Sequence, residues 1–98
     1  QEALEYALNE GVNLIDTSSN YSDGGSERLI GTVLNNAFHT QQQQRDGVII
    51  VSKAGYIQGK VWDYVQERKK SNTAYQEVCE LNYGLAHCIH PEFLYDQL

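Results

Sequence analysis

Two short apolar runs on either side of one amphipathic stretch constrain this chain more than any other feature. Val12-Asn13-Leu14-Ile15 and Val48-Ile49-Ile50-Val51 each have the length of a strand, and the second is β-branched at every position. Between them Leu29, Ile30, Val33, Leu34, Ala37 and Phe38 recur at spacings of three and four, which predicts a helix with one apolar face. Strand, helix, strand is a βαβ unit, so the two strands are expected to be parallel, with a right-handed crossover. Near-continuous apolar runs further predict strands covered on both faces. Both C-terminal ends then emerge on one rim, where parallel α/β proteins bind their ligands.

Each run delivers an ionisable residue to that rim. Asp16 closes the first, Tyr21 follows five residues later, and Lys53 closes the second. A phenol has a pKa of about 10 and is a poor proton donor at neutral pH. A nearby ammonium stabilises the phenolate and brings the donor toward its working range. The ammonium in turn needs a carboxylate, or desolvation would favour its neutral form. Asp16, Lys53 and Tyr21 therefore make a coherent proton-delivery relay. Each also has an ordinary explanation: a loop cap, a solvated lysine, one tyrosine among seven. It is their joint placement that favours chemistry.

The remaining elements are read more briefly. Ala3, Leu4, Ala7 and Leu8 predict a first helix, with Gly11 as its left-handed C-terminal cap. Thr17 to Gly25 is a polar turn region, with Ser26 as N-cap of the second helix and Glu27 in its first turn. Gly31 within that helix implies close packing against another element. His39 to Gly47, with its short glutamine run, is a surface connection that begins at His39, a solvated helix end. Residues 56–88 read as a long loop carrying one or two short helices, with Trp62, Val65 and Tyr64 on one face and Tyr75, Val78 and Cys79 on another. His90-Pro91-Glu92 announces a final helix that is incomplete at Leu98.

Composition excludes several classes. A net charge of −6 leaves no basic face for a nucleic acid or an anionic membrane. Arg68-Lys69-Lys70 is better read as a solvated helix end. No apolar run approaches the roughly 18 residues of a spanning helix, and the first residues lack the pattern of a signal peptide. Cys79 and Cys88 read as reduced thiols in a cytoplasmic protein. Adjacent His87 and Cys88 have no metal-ligand spacing, so no metal site is expected.

The string Gly11-Val-Asn-Leu-Ile-Asp16-Thr-Ser-Ser-Asn-Tyr21, then Gly25-Ser-Glu27-Arg-Leu-Ile-Gly31, resembles the N-terminal signature of the aldo-keto reductase superfamily. Val48-Ile-Ile-Val-Ser-Lys53-Ala-Gly55 resembles its following strand, at a fitting distance along the chain. Within this context Gly24-Gly25 reads as part of the signature rather than as a phosphate cradle. The resemblance implies an α/β fold, a (β/α)8 TIM barrel of which residues 1–98 form a partial domain. It implies NADPH or NADH as cofactor and a small-molecule carbonyl substrate, an aldehyde or ketone. In this pattern Tyr21 protonates the carbonyl oxygen, Lys53 lowers the tyrosine pKa, and Asp16 pairs with the lysine and lies close to the nicotinamide ribose. Tyr56 and Trp62 would sit at the barrel mouth and touch substrate, or else serve packing. The family's catalytic histidine would lie beyond Leu98, so His87 and His90 do not match it, and His90 reads as a neighbour of the helix N-cap.

A barrel of this kind takes about 250 residues, so the chain covers roughly two-fifths of one. The absence of Met makes Gln1 an unexpected natural start. By themselves the 98 residues are expected to be poorly soluble or partly folded, and inactive. The alternative is a non-catalytic remnant, or a regulatory or interaction subunit of the same fold.

Overall fold

The computed structural model describes residues 1–98, which form two compact units, residues 1–52 and residues 53–98. The first begins with α1 (Glu2–Asn9), whose acidic Glu2 and Glu5 complement the positive end of the helix. Gly11 follows at φ +94°, a conformation that favours glycine, and the Val12 N–H turns back to the Ala7 carbonyl at 2.9 Å. β1 (Leu14–Asp16) leads through a tight 3-10 turn, Tyr21–Gly24, into α2 (Gly25–His39). β2 (Ile49–Val51) closes the unit.

The two strands are parallel, with Leu14 opposite Ile49, Ile15 opposite Ile50 and Asp16 opposite Val51. The ladder runs one bond further at each end. The Ile49 N–H donates to Asn13 O and the Thr17 N–H to Val51 O, both at 2.8 Å. Leu8, Ile15, Ile30, Val33, Leu34 and Val48 form the core, with Leu4 and Phe38 packed against it. Each such aliphatic side chain, fully buried, stabilises by roughly 1.5–3 kcal/mol, so the helical stripe is what holds the strand pair.

Three expectations about this unit need correction. The strands are not covered on both faces: Leu14 is 57% exposed, Ile49 58% and Val51 40%. Side chains alternate along β1, so Ile15 turns into the helical core while Leu14 turns away from it. Ser26 is not an N-cap either. Ser22 and Asp23 adopt left-handed φ values of 50° and 51°, which swings the chain into helix two residues sooner, at Gly25 with Gly24 as N-cap. Gly31 makes no close approach: a Cβ placed there would have open space, because it lies opposite the buried stripe.

The second unit departs furthest from the sequence reading. Residues 56–88 are no long loop; they contain a three-stranded antiparallel sheet and one helix. β3 (Tyr56–Gln58), β4 (Cys79–Asn82) and β5 (Leu85–His87) lie in the order β3-β5-β4, with α3 (Lys60–Lys70) after β3. Tyr56 pairs with His87 and Ile57 with Ala86, a pairing thirty residues apart that no local periodicity announces. Of the two helical faces expected, Val65 is buried and Trp62 half-buried on α3, and Tyr64 is exposed. Tyr75 lies in the connection after α3 and Cys79 in β4, so there is no second helix there. α4 (Pro91–Gln97) starts as expected, with Pro91 at its first position. His90 is itself the N-cap: its Nδ1 accepts from the Glu92 N–H at 3.4 Å.

Ile57, Val65, Tyr75, Ala86, Cys88 and Phe93 form this unit's core. Both cysteines are free thiols, Cys79 exposed and Cys88 buried, with the Cys88 thiol donating to the Gln76 carbonyl at 3.3 Å. Arg68 ties α3 to α4, reaching Glu92 at 2.8 Å and Asp96 at 3.2 Å while its guanidinium lies 3.8 Å from the centre of the Tyr75 ring. The Tyr75 hydroxyl donates to the same Asp96 oxygen at 2.7 Å. Burial, and then this bond to Asp96, push the Tyr75 phenol well above its ordinary value, against the lowering effect of Arg68.

A phenol whose folded pKa is raised holds its proton more tightly in the native state. Its contribution is therefore complete below about pH 10, the unfolded value, and is lost as pH rises beyond it. Urea titrations at pH 8 to 11 are expected to show the wild type losing stability above pH 10, with a shallower loss in Tyr75→Phe. Equal slopes would contradict the buried phenol. In α2, Gly31→Ala is expected to raise stability by about 0.5–1 kcal/mol, since it adds helix propensity without a clash. A loss on urea unfolding would mean that Gly31 is packed after all.

Candidate functional site

The rim of the first unit is built from the end of β1 and the loop behind it. Asp16 is the last residue of β1 and is exposed, on the strand face opposite buried Ile15. Thr17 and Ser18 then turn inward and are almost wholly buried, at 1% and 4% exposure. Buried hydroxyls need partners. The Thr17 and Ser26 hydroxyls share a hydrogen bond of 2.8 Å, fastening the strand end to the first turn of α2, and the Ser18 hydroxyl donates to Asn20 Oδ1 at 2.6 Å. Ser19 Oγ is buried without a partner.

Tyr21 rides on this fastened loop. Its N–H donates to Ser18 O at 3.2 Å, and its ring is 47% exposed. Arg28, one turn into α2, donates to the Asp23 carbonyl at 3.0 Å and secures the loop's far side. Two consecutive left-handed residues, Ser22 and Asp23, follow Tyr21 directly. Each such non-glycine residue costs roughly 1–2 kcal/mol, so the hydrogen bonds at both ends offset a strained turn. At the close of the unit, the Ser52 hydroxyl donates to Glu27 in the first turn of α2.

Lys53 is the first residue of the second unit and the second after the end of β2, and it is exposed. Gly55 is buried, and Tyr56 opens β3 with its ring half-exposed and edge-on to His87, 5.1 Å between ring centres. Trp62 packs against the core of this unit, its indole tilted toward Tyr83 at 6.0 Å. Asp16 and Tyr21 thus share one loop region of the first unit, and Lys53 and Tyr56 share the segment that opens the second.

Sequence reasoning missed Thr17, Ser18 and Ser26 as the fasteners of the Tyr21 loop. The available signal was a pair of hydroxyl residues directly after a strand, which the reading treated as turn filler. A separate cavity of about 230 Å³ opens between α1 and α2, lined by Glu5, Leu8, Asn9, Asn36 and Gln43 among others, and contains none of the rim residues. No group of three or more His, Cys, Asp or Glu side chains is arranged to hold a metal ion. No helix is long and apolar enough to cross a membrane.

A family model described as "Aldo/keto reductase family" matches residues 1–95. None of the curated proteins and none of the solved structures compared with the chain matches it.

The unpartnered Ser19 hydroxyl generates a clear expectation. Ser19→Ala removes a buried polar group that has no hydrogen bond, so it should be neutral or stabilise by about 1 kcal/mol on urea unfolding. A loss of that size instead would reveal a partner for the hydroxyl.

Proposed function

The chain belongs to the aldo/keto reductase family, and on that premise we propose that its rim delivers the proton in an NAD(P)H-dependent reduction of an aldehyde or ketone. Family membership carries an oxidoreductase kind of function; the roles of individual residues are our reading. The observation that carries it is the parallel register of β1 and β2, which sends both strand ends the same way. Asp16 ends one strand and Lys53 follows the other by two residues.

In this reading Tyr21, a half-exposed residue on its fastened loop, gives its hydroxyl proton to the carbonyl oxygen. When bound, the nicotinamide nucleotide supplies the hydride that the carbonyl carbon accepts. The C=O π bond breaks, one C–H and one O–H bond form, and the phenolate left on Tyr21 takes a proton back from solvent. The Lys53 ammonium stabilises that phenolate, and the Asp16 carboxylate keeps the ammonium charged. An exposed carboxylate at a strand end is also a suitable acceptor for a ribose hydroxyl, so the groups at this rim fit the nicotinamide end of such a cofactor. Tyr56 and Trp62 are the substrate-side aromatics of the same reading.

The exposed apolar side chains of Leu14, Ile49 and Val51 favour a second reading, a non-catalytic member of the family that pairs with another protein through this face.

The discriminating experiment is NADPH oxidation with a panel of aldehydes, measured on the protein at its natural full length rather than on the 98 residues alone. Tyr21→Phe is expected to lower kcat by about 10²- to 10⁴-fold, the usual weight of a general acid, with NADPH binding unchanged. Turnover that survives the substitution would exclude Tyr21 as the acid. No turnover in the wild type would favour the second reading.

A further inference from the structure

We propose that Gln97 and His87 are positioning residues for Lys53, acting through a three-sided clamp on Gly55. The proposal rests on the reading of Lys53 as part of the proton-delivery set, and it concerns only contacts within the second unit.

Lysine carries a point charge on a flexible four-carbon stem, so where its ammonium can reach depends on where its backbone is held. Lys53 lies in the short linker between β2 and β3, only two residues from Gly55. Two residues span at most about 7 Å of chain, so any displacement of Gly55 is felt at Lys53.

Gly55 is an unusual linker residue because it is buried and fixed on three sides. Its N–H donates to the side-chain oxygen of Gln97 in α4 at 2.9 Å. Its carbonyl accepts from the Cys88 N–H at 2.8 Å. Against its Cα lies the His87 imidazole, so close that a Cβ on residue 55 would meet Nε2 at 2.8 Å and Cε1 at 3.2 Å. The backbone there takes φ +120°, which side-chain-bearing residues avoid. Only glycine satisfies both conditions.

The two side chains of the clamp are themselves anchored. His87 is the cross-strand partner of Tyr56 and meets its ring edge-on. Gln97 ends α4, which is held by buried Phe93 and by Arg68 through Glu92 and Asp96. A buried N–H must find an acceptor, and here it finds one on a side chain forty-two residues away. The paired strand residues begin at Tyr56, and the Cys88–Gly55 bond carries the ladder one residue further back. The clamp therefore extends order from the sheet back toward the lysine.

The test uses the protein at its natural full length and four variants. Lys53→Met sets the scale of losing the ammonium. Gln97→Leu removes the acceptor, Gln97→Glu keeps one, and His87→Ala opens the opposite side of the clamp while leaving the Gln97 bond in place. Displacements near 1 Å cost up to about 10²-fold in rate, so Gln97→Leu and His87→Ala should each lower kcat about tenfold with the aldehyde KM unchanged. Amide exchange at Gly55 should speed up in Gln97→Leu, and Gln97→Glu should restore both the exchange rate and kcat.

If Lys53→Met slows turnover while Gln97→Leu and His87→Ala leave kcat at the wild-type value, the clamp does not position the lysine, and the reading of Lys53 stands. If Gln97→Glu restores amide protection but not kcat, the role of Gln97 is structural only and the proposal falls. If the wild type shows no turnover, or Lys53→Met matches it, the reading of Lys53 fails and the proposal falls with it.

Discussion

The parallel pairing of β1 with β2 is the constraint on which the first unit depends. Three residue pairs and one ladder bond beyond each end are few hydrogen bonds for a sheet. The pair persists because α2 crosses between the strands and buries Ile30, Val33 and Leu34 with Ile15 and Val48. The hydrogen bonds fix register, and the apolar stripe provides the free energy. Register matters for the chemistry as well. A slip of one residue would exchange the faces of β1, turning Ile15 out and Asp16 into the core. The same burial that holds the strands therefore keeps a carboxylate on the rim.

The second unit is stabilised differently. Its core is more aromatic, and its helices are joined by charge: Arg68 stacks on Tyr75, pairs with Glu92 and Asp96, and donates from Nε to the Thr73 carbonyl at 2.7 Å. A planar guanidinium can stack and donate in several directions at once, which an ammonium cannot. Lys69 makes a separate, exposed pair with Glu80, of the kind that contributes little. The weight falls on Arg68, because Tyr75, Glu92 and Asp96 all converge on it.

What could be read from the sequence follows from the range over which each signal acts. The α2 stripe, the Gly11 cap, the Pro91 helix start and the strand end at Asp16 are all local patterns, and all recur in the structure, whereas Lys53 lies two residues past the end of β2. The β3-β5-β4 sheet was illegible because its strands are three or four residues long and β3 pairs with β5 across a helix. Leu85-Ala86-His87 has no β-branched residue, so propensity gave no warning. The exposed faces of Leu14 and Ile49 were missed for a related reason. A continuous apolar run shows that a strand has two apolar faces, and says nothing of whether this stretch of chain covers both. The contacts of Ser26 with Thr17 and of Gln97 with Gly55 depend on side chains meeting across elements, which no spacing encodes.

The loop bearing Tyr21 is the structural feature that best supports the proposed use of this rim. A chain passing from β1 to α2 has cheaper routes than two successive left-handed residues at Ser22 and Asp23, and glycine at either position would relieve the strain. The turn instead keeps serine and aspartate there, anchors itself by burying Thr17 and Ser18, and presents the ring of the one tyrosine between them half in solvent. Stability alone would favour a relaxed loop with its phenol packed. Strain next to a half-exposed tyrosine, at the C-terminal end of a parallel strand, supports the role proposed for Tyr21. The Gly55 clamp has the same logic on the lysine's segment: a buried glycine at φ +120° has its N–H met by a side chain from the far end of the unit. In both units the backbone takes left-handed φ values within two residues of a side chain proposed for the proton-delivery set.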